Sequence, residues 1–221
     1  FDDGPSTEST EAILDILKSH EVKATFFVWT ENLDKSQKQR DALVRTIKEG
    51  HAIGNHSYGH LYEYLYPNKT ASLDNIMADF NKANEKLKEV LGEDFETRVI
   101  RFPGGSMSWK GLSPVKDAFK ERDIAHVDWN IDSTDAASNS RTKEQILNAV
   151  KEGIEYLQSA NINQATILMH DTNAKSSTVE ALPEIIQYLK EQGYTFKTLS
   201  TGQSSEAIEN PTEDPQGQTH N

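Results

Sequence analysis

Two histidines four residues apart are the residues with the clearest chemical potential in this sequence. His56 and His60 are separated by Ser-Tyr-Gly and follow a short apolar run. On a helix, side chains at i and i+4 lie on one face, so we expect a helical turn to present both imidazoles to one ion. Zn²⁺ binds neutral imidazole nitrogen, and a catalytic zinc site usually has a third protein ligand and an open position. The pair alone is more often typical of surface histidines at a helix start.

Other polar residues able to do chemistry follow the remaining predicted strands. They are Asp2 and Asp3, Arg101, Asp132 and Asp135, and His170 and Asp171. In a barrel of βα units the carboxyl ends of the strands meet at one rim, where functional residues gather. We therefore expect these clusters to converge with the histidine pair.

The residue types at these positions indicate metal-assisted hydrolysis of an acyl–nitrogen or acyl–oxygen bond. Of two adjacent carboxylates, one can bind the ion while the other stays free as a general base. A carboxylate with two imidazoles makes a three-ligand site, where a bound water becomes more acidic and a carbonyl is polarised. A separate histidine can protonate a leaving amine near neutral pH, and a carboxylate beside it would orient the ring.

Strand and helix patterns alternate along most of the chain, which predicts an α/β fold: a distorted (β/α) barrel with a mainly parallel sheet in a single domain. The strand-like segments are residues 24–29, 51–55, 98–102, 124–131, 165–169 and 194–199. The helix-like segments are residues 8–20, 37–49, 72–91, 114–122, 143–159 and 179–192.

The two ends of the sequence differ from this pattern. Residues 1–5 read as the end of a strand that runs into a turn, so we expect the N-terminal strand to be truncated. Residues 201–221 are rich in Ser, Gln, Glu and Pro and almost without apolar residues, which predicts a disordered tail after a folded domain of residues 1–200.

Composition excludes several classes of function. The formal net charge is −12, which argues against a nucleic-acid-binding surface. There is no apolar run long enough for a transmembrane segment. The chain has no cysteine, so it has neither a disulfide framework nor a thiolate metal site.

Five segments, in this order, resemble the motifs of the polysaccharide deacetylases, the NodB-homology domain of the fourth carbohydrate esterase family. They are Phe1-Asp2-Asp3-Gly4-Pro5, His56-Ser57-Tyr58-Gly59-His60, Arg101-Phe102-Pro103-Gly104, Asp132-Ser133-Thr134-Asp135 and Leu168-Met169-His170. The resemblance covers nearly all of the predicted folded part.

The resemblance implies a role for each motif residue. Asp2 would be the catalytic base, and Asp3, His56 and His60 would hold one divalent metal ion. Zinc is favoured by the ligand types, although cobalt or nickel could occupy the same site.

The later motifs would complete the acid–base set. Arg101 would orient Asp2, and the backbone N–H of Gly104 would bind the oxyanion. Asp135 would hold His170, the general acid, and Leu168 would line the pocket for the acetyl methyl group.

Two positions depart from the family pattern. Ala136 stands where the fourth motif usually has Trp, and Gly104 stands where the third often has Tyr. Glycine at position 104 still provides the backbone N–H that would bind the oxyanion. Trp109 and Trp129 are candidates to replace the missing aromatic ring beside His170. The segment from residue 58 to residue 66 is rich in aromatic residues and could be either a sugar platform or ordinary packing.

The implied activity is removal of N-acetyl groups from N-acetylglucosamine units of a cell-wall polysaccharide. Peptidoglycan is the first choice of substrate, and the resemblance to Gram-positive surface enzymes predicts an extracellular or cell-surface location. Chitin or another surface glycan is an alternative substrate, and an acetyl-xylan esterase would cleave an ester instead. A glycan-binding module that kept the fold and lost catalysis is an alternative of a different class. The feature that favours it is Ala136 in place of the usual Trp.

Overall fold

The computed structural model describes residues 1–138 and 140–199, and it confirms an α/β fold with a mainly parallel sheet. Each strand pair in it is parallel. The strands are β1 (Thr25–Val28), β2 (Ala52–Asn55), β3 (Val99–Ile100), β4 (Ala125–His126), β5 (Ile131–Asp132) and β6 (Ile167–Leu168).

Helices follow most of the strands and cover the sheet. They are α1 (Ser9–Ser19), α2 (Asn32–Lys35), α3 (Gln37–Lys48), α4 (Tyr62–Leu65), α5 (Leu73–Leu91), α6 (Ser113–Lys120), α7 (Lys143–Ser159) and α8 (Ser176–Glu191). Short 3₁₀ turns lie at Pro67–Lys69 and Ser106–Ser108. No helix in the described ranges is both long and apolar enough to cross a bilayer.

The sheet has two parts that meet at Asp2. One part has the order β1-β2-β3-β4, and the other pairs β5 with β6. Asp2 forms parallel bridges both to Phe27 of β1 and to His170, two residues beyond β6. Its own N–H donates to the carbonyl of Met169 at 2.9 Å. Among the described residues no strand pairing joins β4 to β5, so the predicted barrel is not closed by hydrogen bonds there.

The prediction of one strand over residues 124–131 was wrong. The segment contains β4 and β5, which belong to different parts of the sheet. Between them the carbonyls of Val127 and Asp128 accept hydrogen bonds from the Arg101 guanidinium, at 2.8 and 3.0 Å. Because an arginine side chain takes up these carbonyls, they do not continue a strand ladder.

The predicted last strand at residues 194–199 is also absent. At its end the N–H of Leu199 donates to the hydroxyl of Thr25 at 2.8 Å, where a ladder would need a carbonyl. The predicted tail at residues 201–221 lies outside the described residues.

Apolar faces of the helices make the core. The largest cluster joins α1, α7 and α8 to β1, and includes the fully buried Ile13, Val150 and Ile154. A second cluster lies under α5 and α6 and is built around Phe80 and Phe102. Thr142 and Gln145 form a capping box at the start of α7, which accounts for its predicted boundary at Lys143.

Candidate metal and acid–base site

Asp3, His56 and His60 come together at the carboxyl-terminal ends of the strands. The Asp3 Oδ1 atom lies 3.4 Å from Nε2 of His56 and 3.3 Å from Nε2 of His60. The three groups each offer one ligand atom, and these atoms all lie within 4.8 Å of one another. Ligand atoms bound tetrahedrally to one zinc ion at 2.0–2.2 Å would be about 3.3–3.6 Å apart. The spacing therefore suits a single divalent ion.

Two further observations test whether these residues fit a metal. The Asp3 Oδ1 atom is buried and has no hydrogen-bond partner among the described residues, which is costly unless a cation satisfies it. Nδ1 of His56 is 2.8 Å from the carbonyl of Arg101, which can only accept, so Nδ1 carries the proton. The Nε2 lone pair is then directed away from that bond, in the tautomer that a metal ligand needs. The residues fit a divalent metal with N and O ligands.

The histidine pair is on a loop, so the expected helical turn was wrong. Residues 56–60 are not helical, and both Ser57 (φ 78°) and His60 (φ 52°) adopt left-handed conformations. The loop is held instead by Asp79 of α5, which is only 8% exposed. Its carboxylate accepts from the Ser57 hydroxyl at 2.5 Å, and from the N–H groups of Tyr58 at 2.7 Å and Gly59 at 3.1 Å.

Sequence reasoning missed Asp79, although a signal was present. On α5 the buried positions include Ile76, Phe80 and Ala83, and Asp79 falls among them. An acidic residue on the apolar face of an amphipathic helix is seldom buried without partners. Its position could have marked it as a residue with buried hydrogen-bond donors to satisfy.

Asp2 lies beside the three-residue cluster and is paired with Arg101. The guanidinium donates to Asp2 Oδ1 at 2.7 Å, and its other nitrogens bind the two backbone carbonyls described above. Arg101 is 1% and Asp2 3% exposed. Burial alone would raise the pKa of the Asp2 carboxyl, but the charge of Arg101 lowers it overall. Asp2 is therefore held ionised and in a fixed orientation.

His170 forms an oriented pair with Asp135. Its Nδ1 is 2.7 Å from Asp135 Oδ1, while its backbone N–H donates to Asp135 Oδ2 at 2.8 Å. The buried hydroxyl of Thr178 donates to the same Oδ2 at 2.8 Å. Burial would lower the pKa of His170, but the hydrogen bond and charge of Asp135 raise it overall. The Nε2 atom lies 4.0 Å from Asp3 Oδ2, so the ring is next to the candidate metal-ligand cluster.

Asp171, which follows His170, is buried against Thr10 of α1. It is 1% exposed, and its carboxylate accepts from the Thr10 hydroxyl at 2.6 Å. Burial raises the pKa of this carboxyl to about 6. A Cβ atom at Gly4 would lie 2.0 Å from the same carboxylate, so only glycine allows this close approach beside Asp3.

The remaining predicted site residues lie on β6 and in the loops that follow β3, β4 and β5. Leu168 is buried on β6, two residues before His170. Gly104 has φ 78°, and the ring of Trp109 lies 3.1 Å from the position that its Cβ would take. Ala136 is exposed. Trp129 lies against Gly105 and over the Arg101 guanidinium, so it packs on the Asp2 side of the site.

Residues from all five predicted motifs thus lie close together, and comparison with known proteins identifies the family. The sequence matches the polysaccharide deacetylase family over residues 1–118, a range that contains Asp2, Asp3, both histidines and Arg101. The chain belongs to the polysaccharide deacetylase family. Asp135 and His170 lie beyond the matched range but within the fold described above.

Individual relatives of this deacetylase family cover most of the chain. A peptidoglycan-N-acetylglucosamine deacetylase of Bacillus cereus is 34% identical, over 90% of this chain and 84% of the relative. The structure of a Streptococcus mutans CE4 esterase superimposes with a TM-score of 0.84 at 37% identity, covering 90% of this chain and 84% of that one. The Bacillus subtilis protein YheN is 36% identical, and the chain spans only 65% of its length.

Proposed function

We propose that this chain is a metal-dependent hydrolase that removes N-acetyl groups from N-acetylglucosamine units of peptidoglycan. One observation carries the proposal: the buried Asp3 Oδ1 atom, which has no hydrogen-bond partner in residues 1–138 and 140–199, lies 3.3–3.4 Å from two imidazole nitrogens. The buried carboxylate of Asp2 and the imidazole of His170 flank this cluster, 3.8 Å from His56 Nε2 and 4.0 Å from Asp3 Oδ2 respectively. A metal-ligand set with a base on one side and an acid on the other suits amide hydrolysis.

The divalent ion held by Asp3, His56 and His60 would make a bound water more acidic and polarise the acetamido carbonyl. Asp2, fixed by Arg101, takes the proton of the attacking water. The N–H of Gly104 donates to the oxyanion that develops, and a donor of this kind contributes roughly 2.7–4 kcal/mol. His170, oriented by Asp135, gives its proton to the departing amine, so acetate and a free glucosamine amine result.

The names of relatives favour a substrate, and the types of the ligand residues favour a metal. The Bacillus cereus relative is named for peptidoglycan N-acetylglucosamine, which favours that substrate for this chain. Two imidazoles and one carboxylate favour Zn²⁺, and Co²⁺ or Ni²⁺ would be accepted by the same ligands.

The test is acetate release from N-acetylglucosamine oligomers and from peptidoglycan. We expect turnover that chelator abolishes and added Zn²⁺ restores. Asp2→Asn should lose turnover while zinc stays bound, and His56→Ala should lose zinc itself. Asp41→Asn, an exposed carboxylate on α3, is the matched control and should behave as wild type. Full activity of Asp2→Asn would contradict the assignment of the base.

The same experiment separates the alternatives. A glycan-binding module would bind the oligomers but release no acetate in the presence of Zn²⁺. A preference for chitin over peptidoglycan would change the substrate but not the mechanism. Faster release from acetylated xylan than from both amide substrates would indicate an esterase instead.

A cell-surface location follows from the proposed substrate, because peptidoglycan lies outside the cytoplasmic membrane. We propose that the protein acts extracellularly or at the surface of a Gram-positive bacterium. Fractionation of a native host, followed by detection with a specific antibody, tests this. Recovery only from the cytoplasm would reject it.

A further inference from the structure

The chain that follows the second metal-ligand histidine exposes apolar side chains next to the site. Leu61 is 63% exposed, and on the short helix α4 Tyr62 and Tyr64 are 45% and 44% exposed. Met107, in the 3₁₀ turn after Gly104 and Gly105, is 85% exposed. Isolated exposed apolar residues are normal, but several of them bordering a polar site indicate a binding surface.

Tyr62 connects this surface to the metal site. Its ring centroid lies 5.3 Å from that of His60 and 5.2 Å from that of Trp109. Tyr64 has a similar exposure but makes neither of these ring contacts. Tyr62 and Trp109 therefore form an aromatic strip that starts at a metal-ligand candidate and leads away from it.

The aromatic strip is held by contacts on its inner side. Trp109 stacks on the buried ring of Tyr66 at a centroid distance of 4.0 Å and an interplanar angle of 8°. Its indole N–H donates to the carbonyl of Pro103 at 2.8 Å. Tyr66 holds one face of the indole and the Pro103 carbonyl holds its N–H. The Trp109 side chain would therefore lose little conformational entropy when a ligand binds to it.

Gly104 explains why Trp109 can lie here. Its missing side chain leaves the space that the indole occupies, since a Cβ at Gly104 would meet the ring at 3.1 Å. The backbone of Gly104 is also the expected oxyanion donor. The strip thus lies directly beside the reacting acetamido group of the proposed reaction.

We propose that Tyr62 and Trp109 bind the pyranose ring next to the N-acetylglucosamine unit that is deacetylated. One face of a pyranose ring presents mainly C–H groups, which pack on the flat face of an aromatic side chain, while its hydroxyls stay in water. Tyrosine offers such a face with few rotatable bonds. The strip would select oligosaccharides over single sugars, because only an oligomer places a ring there. The inference rests on the proposed function for the identity of the glycan.

The experiment measures binding of the N-acetylglucosamine tetramer and monomer to the full zinc-loaded chain by calorimetry. Every protein carries Asp2→Asn so that no substrate is turned over, and wild type here refers to residue 62. Tyr62→Ala should weaken tetramer binding about tenfold and monomer binding less than threefold, while Tyr62→Phe should stay within threefold of wild type for both. Tyr62→Leu keeps apolar volume against His60 without a flat face, and it should show the same loss as alanine. Tyr64→Ala on the same helix is the matched control and should leave both affinities within twofold.

Two results would overturn the aromatic strip as a sugar site. Tetramer binding by Tyr62→Ala and Tyr62→Leu could equal that of wild type, or the monomer could lose as much affinity as the tetramer. The second result would place the role of Tyr62 at the metal site. Absence of acetate release from the wild-type protein would refute the proposed function. The binding result for the aromatic strip could still be interpreted, because binding is measured without turnover.

Discussion

Asp79 and Ser57 are joined by a 2.5 Å hydrogen bond, from the serine hydroxyl to a carboxylate buried on α5. The Ser57 hydroxyl oxygen also accepts the backbone N–H of His60 at 2.9 Å. Through these two bonds a charge on a neighbouring helix fixes the loop between the two histidines. The geometry of the candidate metal-ligand cluster therefore depends on a residue that does not belong to it.

Asp79→Asn should weaken zinc binding. The amide keeps one acceptor oxygen but turns its NH₂ group toward backbone donors, so at least one loop N–H loses its partner. Loss of residues that orient metal ligands costs about 10–100-fold in affinity, and we expect roughly the lower end here. Competition with a chromophoric zinc chelator measures the effect. Glu85→Gln, on the exposed side of α5, is the control and should bind zinc as wild type does. Unchanged affinity in Asp79→Asn would show that the loop holds its shape without this charge.

Thr178→Val should lower kcat by about tenfold and leave KM nearly unchanged. Its hydroxyl donates to the carboxylate that orients His170, and a hydrogen bond to a charged group is worth roughly 1.5–3 kcal/mol. Valine has the same shape without the donor. Thr178→Ser keeps the hydroxyl and should recover activity to within about threefold. Steady-state kinetics of acetate release provides the measurement, and equal kcat for the valine and wild-type proteins would exclude a positioning role.

Arg101→Met should destabilise the fold. Removing one partner of a buried ion pair leaves the other charge uncompensated and costs roughly 3–5 kcal/mol. Here the carboxylate of Asp2 would lose its 2.7 Å partner in a fully buried position. Denaturant unfolding measures the change in the free energy of unfolding.

A double variant isolates the pair from the other contacts of Arg101. Adding Asp2→Asn to Arg101→Met removes the uncompensated charge, so the double variant should be more stable than Arg101→Met alone. The carbonyls of Val127 and Asp128 lose their donor in both proteins, and that loss cancels in the comparison. If the double variant is the less stable of the two, the Asp2 charge is not what Arg101 compensates.

The sequence predicted the order of the elements and the position of the candidate site more accurately than it predicted the local backbone conformation. A parallel sheet places the ends of its strands at one rim, so the convergence of Asp3, His56 and His60 followed from topology alone. The boundary of α7 was predictable because its cap is local, with Thr142 and Gln145 three residues apart.

Local features fixed by distant residues could not be predicted. The left-handed backbone of Ser57 depends on Asp79, a partner 22 residues away in the sequence. The division of residues 124–131 into two strands follows from an arginine that lies 26 residues before Val127. Neither contact has a periodic pattern, so neither could be predicted from the spacing of apolar residues.

His51 should make stability depend on pH in the acidic range. The imidazole is 4% exposed and its Nδ1 accepts the N–H of Ala24 at 3.2 Å. Burial, with help from the charge of Lys23, lowers its pKa to about 4 from the ordinary 6.5. The unfolded chain therefore binds the proton first as pH falls. The contribution of the neutral His51 ring to the free energy of unfolding is complete above pH 6.5. It is lost as the pH falls toward 4, and the loss is at most about 3 kcal/mol.

The His51→Asn variant tests this dependence. The amide oxygen of asparagine can take the place of Nδ1 as the acceptor for Ala24, but it does not titrate. Free energies of unfolding measured between pH 4 and 7 should fall less steeply with decreasing pH in the variant than in wild type, whatever its stability at pH 7. An NMR titration of the His51 ring in the folded protein gives the pKa directly. A midpoint at or above 6.5, or parallel stability curves for the two proteins, would contradict the buried neutral imidazole.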